Sequence, residues 1–142
     1  MLDAKRLMQQ QIPQIAVDAK VSRQFGEAGP QAMRLAAFGA LGPIVVVHLG
    51  TNGPMSQGQL DNLIGALGPD RKIVLVTAHV PRPWEGLTNQ RIREAPGRWP
   101  NVTVADWNAL SAAHPEWFVK DGTHLQRPGE IAYMDLIKNA VQ

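Results

Sequence analysis

Ile44-Val45-Val46-Val47-His48-Leu49-Gly50-Thr51-Asn52-Gly53 decides the fold. A continuous β-branched run, entered from Gly42-Pro43 and closed by Gly50, is the text of a strand covered on both faces. Leu60, Leu63, Ile64 and Leu67 follow at helical spacing, which predicts a helix over 57–67. Strand, glycine loop, helix is half of a parallel β-α-β unit. The same alternation continues downstream. Ile73 to Ala78 reads as a second buried strand, entered from the turn Gly68-Pro69-Asp70, and Val102 to Ala105 as a shorter third. Upstream, Ile15 to Ala19 reads as a further short strand. Helices are expected over 2–11, 30–38, 88–94, 107–113 and 128–141, the last opened by Pro128, which suits a first turn. Short connections between such elements imply right-handed crossovers and an α/β sandwich built on a parallel sheet.

The chain has 142 residues, one domain's worth, and 44% of them are hydrophobic, enough for a full core. No apolar run reaches the roughly 18 residues of a membrane span, and the N-terminal residues lack the apolar stretch of a secretory signal. Net charge is only +2. Arg82, Arg91, Arg93 and Arg98 lie close in sequence, but Glu85 and Glu94 dilute them, so the pattern is that of a solvated face, not a nucleic-acid surface. With no cysteine there is no disulfide, thiolate zinc site or cysteine nucleophile. The four histidines, His48, His79, His114 and His124, show no helical metal-binding spacing, and neither metal nor cofactor is expected.

Ligands of open α/β sheets bind outside the carboxyl ends of the strands. Gly50-Thr51-Asn52, His79-Val80-Pro81 and Asp106-Trp107 follow three strands, and Asp121-Gly122-Thr123-His124 precedes the last helix. In a turn, Asp-x-x-His can bring the carboxylate to imidazole Nδ1 and leave Nε2 as a base; the same spacing also fits an ordinary loop salt bridge. Asn52 can donate a side-chain N–H to an oxyanion, or be a routine loop residue of the kind β–α turns favour. A phosphate-binding loop is excluded, because no Gly-Lys-Ser/Thr follows. Trp84 and Arg82 sit on the same rim, where an indole can stack on a sugar and a guanidinium can meet an anion; packing at the core's edge is the alternative for a tryptophan.

His48-Leu49-Gly50-Thr51-Asn52-Gly53 resembles the third sequence block of the SGNH (GDSL-like) hydrolase superfamily, and Asp121-Gly122-Thr123-His124-Leu125 resembles its fifth. Together with Val17 to Gln24 and Val80 to Glu85, these stretches resemble the extracytoplasmic SGNH domain of membrane-bound peptidoglycan O-acetyltransferases, over nearly the whole chain. The resemblance implies a three-layer, flavodoxin-like α/β/α fold with His124 as base, Asp121 as its orienter, and Asn52, Gly50 and Ser22 shaping the oxyanion hole. Glycine is the superfamily's usual choice at the Ser22 position; a backbone N–H is what the role needs.

The family's first block, Gly-Asp-Ser-Val-Met or similar, carries the nucleophilic serine and has no match here. Met1 falls where that block's own methionine would stand. Ser22, Ser56 and Ser111 are the only serines, none in a nucleophile turn. The resemblance thus implies an N-terminally truncated domain whose first strand is missing. Such a chain would be inactive as given, since loss of a triad nucleophile costs on the order of 10⁶ in kcat. The missing strand would leave an open sheet edge able to pair with a second copy. The implied activity is serine-based O-acetylation of a cell-wall or other extracytoplasmic glycan, with an acyl donor and a glycan or small ester as partners and a membrane acyltransferase region in the full-length protein. The alternatives are a stand-alone carboxylesterase and a catalytically dead glycan-binding module, soluble as given.

Overall fold

The computed structural model describes residues 2–142. Three strands, β1 (Ile44–Val47), β2 (Lys72–Val76) and β3 (Val102–Ala105), form a parallel sheet in the order β1-β2-β3. The register pairs Val45 with Ile73 and Val74 with Thr103. Six α-helices surround it: α1 (Lys5–Gln11), α2 (Ala28–Ala37), α3 (Gln57–Leu67), α4 (Glu85–Glu94), α5 (Trp107–Ser111) and α6 (Arg127–Ala140).

The period-2 alternation of β2 divides the core. Ile73 and Leu75 pack with Phe25, Leu60, Leu63, Leu67 and Ile92 on the α2–α3–α4 side. Val74 and Val76 pack with Leu7, Met8, Tyr133, Met134 and Ile137 on the α1–α6 side. These two cores, one on each face, make the α/β/α sandwich. The central strand is buried from Ile73 to Val76, while β1 is exposed at Ile44 and half-buried after it. At 0–4% exposure, the apolar side of α3 (Leu60, Leu63, Ile64, Leu67) is deep in the first core. Ser56 opens that helix with a capping box: its hydroxyl accepts from the N–H of Gln59, whose side chain accepts from the N–H of Ser56.

Two expectations need correction. Residues 15–19 have no regular secondary structure and pair with no strand among the described residues. Their apolar side chains Ile15 and Val17 pack on the α1–α6 core instead, so burial was legible there and pairing was not. Helix α4 starts at Glu85, three residues before the expected Thr88. Glu85 holds the turn ahead of it, accepting the N–H of Val80 at 2.6 Å, a contact outside the reach of helical periodicity. The other helices and β1–β3 fall within a few residues of expectation, with α3 and β3 coinciding with it.

Candidate active site

The connection between β2 and α4 (residues 77–84) is the spine of the carboxyl-end rim. Each of its first turns is clamped from elsewhere. Thr77 donates to Asp106 at 2.8 Å and accepts the N–H of Asn108. Buried Asn89 closes a two-bond clamp on the N–H and C=O of Ala78, both at 2.8 Å. Asp106 in turn is gripped by the Arg93 guanidinium, which is the main reason its carboxyl is held down at about 2. A rim fixed by buried and charge-assisted hydrogen bonds can position side chains with little reorganisation.

On one flank lies the loop 118–126. Phe118 and Leu125 form an antiparallel bridge. The Val119 N–H donates to the His124 carbonyl at 2.9 Å, and the Gly122 N–H to the Val119 carbonyl at 2.9 Å. The turn closes at Gly122, whose φ of +67° is a left-handed conformation that glycine adopts without strain. It lies against Pro81 of the spine. Inside this turn, Asp121 Oδ1 accepts the N–H groups of Thr123 (2.8 Å) and His124 (3.0 Å), while Oδ2 meets His124 Nδ1 at 2.6 Å. The His124 backbone N–H, the imidazole and the Thr123 N–H hold the Asp121 carboxyl at about 2, so it is ionised at neutral pH. An ionised carboxylate only accepts, so Nδ1 carries the proton and Nε2 is the free lone pair. The same hydrogen bond raises the His124 pKa above its ordinary value. The pair is exposed, with 67% of the imidazole's surface open, and is therefore accessible to a reactant from outside.

On the other flank lies the loop after β1. Gly50 is buried and has φ +109°. A Cβ there would stand 3.0 Å from the Thr88 methyl, so shape and backbone both require glycine. Its carbonyl accepts the Trp84 indole N–H at 2.9 Å. The Asn52 side chain donates to the Arg23 carbonyl at 3.4 Å, which draws it beside the Ser22–Arg23 turn. Ser22 has φ +58°, left-handed for a non-glycine residue; this is the position where the family pattern favours glycine. Asn52, Gly50 and Ser22 are thus gathered on one side of the spine and Asp121 and His124 on the other.

The polar edge of Trp84 anchors the Gly50 loop, a use of the indole N–H that sequence could not show, and its ring remains on the rim. Arg82 is exposed, and its guanidinium has no ion-pair partner among the described residues. Of the serines, Ser56 caps α3, Ser22 lies in the loop just described, and Ser111 is buried against the Trp107 carbonyl. None bonds to His124. Among the described residues no three His, Asp or Glu side chains converge as metal ligands would, and no helix is long and apolar enough to cross a membrane.

Sequence reasoning missed one pair. His79 Nδ1 lies 2.7 Å from the hydroxyl of buried Ser111, and the ring stacks on Phe118 at 4.2 Å. His79 was visible as a rim residue, but nothing local announces a partner 32 residues away.

No family model matches the chain. Among proteins with similar sequences, O-acetyltransferase OatA of Staphylococcus aureus (strain NCTC 8325 / PS 47) is 38% identical over 143 aligned residues, which take in 100% of this chain and 24% of the relative. Peptidoglycan O-acetyltransferase OatA of Listeria monocytogenes is 35% identical over 99% of this chain and 22% of its own length. The putative peptidoglycan O-acetyltransferase YrhL of Bacillus subtilis is 32% identical over 100% of this chain and 22% of its own length. The chain thus spans about a quarter of these relatives. Among solved structures, the C-terminal catalytic domain of Streptococcus pneumoniae peptidoglycan O-acetyltransferase A, bearing a methylsulfonyl adduct, matches with TM-score 0.88 over 99% of this chain and 87% of that one, at 24% identity. The chain is thus similar along its whole length to about a quarter of these O-acetyltransferases, and it shares the α/β fold of the Streptococcus pneumoniae domain.

Proposed function

We propose, from that similarity and from the geometry of the rim, that this chain is the acyl-transferring domain of a serine O-acetyltransferase acting on a cell-wall glycan outside the cytoplasmic membrane. The observation that carries the reading is the 2.6 Å contact of Asp121 Oδ2 with His124 Nδ1, which leaves an exposed Nε2 lone pair on the ligand rim. In the reaction, a serine hydroxyl attacks the acetyl carbonyl of the donor and gives its proton to His124 Nε2. The Asn52 side-chain N–H and the Ser22 backbone N–H hold the oxyanion, with Gly50 setting the loop. The intermediate collapses, the donor's oxygen leaves with the proton from His124, and the acetyl group remains on the serine. A glycan hydroxyl then gives its proton to His124, attacks the acyl ester, and the serine oxygen departs with that proton. Asp121 stays ionised throughout and stabilises the imidazolium. Arg82 and Trp84 form the outer rim on the acceptor side.

The nucleophile is not among Ser22, Ser56 and Ser111, whose positions commit them elsewhere. We assign it to a serine supplied by sequence beyond these 142 residues, in keeping with relatives some four times longer. A membrane acyltransferase region in a longer protein is the source we propose for the acyl donor. The half-buried edge of β1 is the place where further strand pairing, including pairing with a second copy, would occur.

The test adds Gly-Asp-Ser-Val ahead of Met1 and follows p-nitrophenyl acetate hydrolysis, then acetyl transfer to glycan oligomers. A gain in turnover that His124→Ala abolishes supports the transferase; release to water alone at every acceptor concentration would make it an esterase. The second reading, a glycan-binding module without chemistry, is favoured by the lack of any serine at His124. It would prevail if the added serine gives no turnover while glycan binding persists.

A further inference from the structure

We infer that His79 and the loop 118–126 form a subsite for an N-acylamino group of the acceptor glycan, separate from the reacting pair; the inference rests on the reading of this domain as glycan-directed. A cavity of about 380 Å³ lies between them, lined by His79, Phe118, Val119, Lys120, Gly122 and Gln126. It is built on the same turn as the pair Asp121–His124, through Gly122 and the Val119–His124 hydrogen bond. A sugar held here is therefore next to the reaction, on the same chain of atoms that orients the base.

The chemistry of the wall is specific. Ser111 is fully buried, and its hydroxyl has one hydrogen, which goes to the Trp107 carbonyl at 2.7 Å. The contact of 2.7 Å with His79 must then run the other way, from Nδ1–H to the serine oxygen. His79 Nε2 is left as an acceptor. It has no partner among the described residues and is not sealed from solvent, and its ring lines the cavity. Stacking on Phe118 fixes the ring plane, and Phe118 is itself held by its bridge to Leu125 and by Gln126 Nε2 on its carbonyl at 2.7 Å. Burial also holds the His79 pKa below its ordinary value, which keeps Nε2 an acceptor at neutral pH.

The site thus offers one fixed acceptor, apolar lining from Phe118 and Val119, and the cationic Lys120 in its wall. An N-acylamino sugar matches each part: its amide N–H donates to Nε2, its acyl methyl lies on the apolar lining, and a carboxylate on the same or adjoining sugar meets Lys120. A plain hydroxyl at that carbon could donate but would leave the lining uncovered. An O-acyl group would cover the lining but could not donate.

Chitopentaose and cellopentaose differ only in acetamido against hydroxyl, so titration of each into the 142-residue chain isolates the claim. Chitopentaose is expected to bind about fivefold or more tightly than cellopentaose. His79→Phe should erase that difference, and His79→Gln, which keeps an acceptor, should restore part of it. Val119→Glu, at a position 41% exposed, should weaken chitopentaose more than cellopentaose. Equal affinity for the two sugars, no binding of chitopentaose at millimolar concentration, or discrimination that survives both His79→Phe and Val119→Glu would overturn the subsite. Binding is read without chemistry. A serine-bearing chain that fails to turn over esters while still discriminating through His79 would defeat the transferase and keep the subsite.

Discussion

Two histidine pairs share one corner of the rim. His124 and His79 each commit Nδ1 to an oxygen at 2.6–2.7 Å and each leave Nε2 free. The oxygens differ. Asp121 is an ionised carboxylate in an exposed turn, and it raises the pKa of its imidazole. Ser111 is a neutral hydroxyl in a buried site, and there the burial of the ring lowers the pKa. The same tautomer is therefore put to two uses. One imidazole can take a proton and hold it through a reaction cycle, and the other stays a neutral acceptor. Partner charge and solvation, not the geometry of the contact, separate a base from a binding group.

The strongest way to break the comparison is to make the first pair resemble the second. Asp121→Asn removes the charge and keeps the size. In a serine-bearing chain it should lower kcat by roughly 10⁴, because the imidazole loses both its tautomer lock and its counter-charge. The acid limb of the kcat/KM profile should move with it. Nε2 must be unprotonated to act, so in the parent the rate should fall as pH drops through a value above the ordinary 6.5 of histidine. In Asp121→Asn that limb should lie lower. Matching limbs in the two proteins would mean that His124 is not the titrating base.

A third histidine extends the contrast to stability. His48 bonds through Nδ1 to the hydroxyl of buried Tyr133 at 2.8 Å, and its Nε2 is buried without a partner among the described residues. Burial pushes its pKa down to about 3. Between pH 6.5 and that value the unfolded chain binds a proton that the folded chain refuses, so stability is lost as pH falls. The loss should reach on the order of 2–3 kcal/mol by pH 4, with His79 adding in the same direction. His124 has the opposite sign: its raised pKa favours the fold at low pH, and that support disappears as pH rises through the folded-state value. Its exposure keeps the contribution small. Urea titrations from pH 7 to pH 4 should show a falling midpoint, flatter in His48→Gln. An unchanged slope in that variant would remove His48 from the account.

Ser111→Ala tests the second pair from its own side. It strands the Nδ1–H of His79, while the Trp107 carbonyl keeps its helical backbone donor, so the fold should lose about 1–3 kcal/mol in denaturant titration. Without the serine oxygen to accept, the imidazole can exchange tautomers and its nitrogen resonances should show both. A single Nδ1–H tautomer persisting in Ser111→Ala would show that stacking on Phe118, not the hydroxyl, sets the ring.

The two pairs also differ in how far sequence reveals them. Asp121 and His124 are three apart in a turn closed by Gly122, so a local reading suffices. His79 and Ser111 meet only because the loop after β2 and the end of α5, 32 residues apart in sequence, come together in the fold. The fold follows the same division. The β-branched runs of β1, β2 and β3 and the leucine spacing of α3 carry their own signal, and Ser56 with Gln59 marks where α3 begins. Residues 15–19 have strand-like composition, but pairing depends on a neighbour that composition does not supply. The early start of α4 depends on Glu85 reaching back to Val80 and across to Asn108. Trp84 has the residue type of a sugar platform, and only the folded chain shows its N–H on the Gly50 carbonyl.

That last contact gives the smallest expected effect and tests the flank with neither histidine pair. Trp84→Phe keeps an aromatic ring and removes one donor. The Gly50 carbonyl would lose its partner at the rim, where water can replace it, so the stability cost should be about 1 kcal/mol or less. The consequence for chemistry should be the larger one. Gly50 leads into Asn52, whose side chain must meet an oxyanion that exists only in the transition state, and a loosened loop weakens that contact more than it weakens substrate binding. In a serine-bearing chain, kcat for p-nitrophenyl acetate should fall severalfold with KM nearly constant. If Trp84 instead serves as a sugar platform, the loss would appear in KM for the glycan acceptor, with ester turnover unmoved. The split between kcat and KM thus assigns the indole either to the oxyanion loop or to the acceptor.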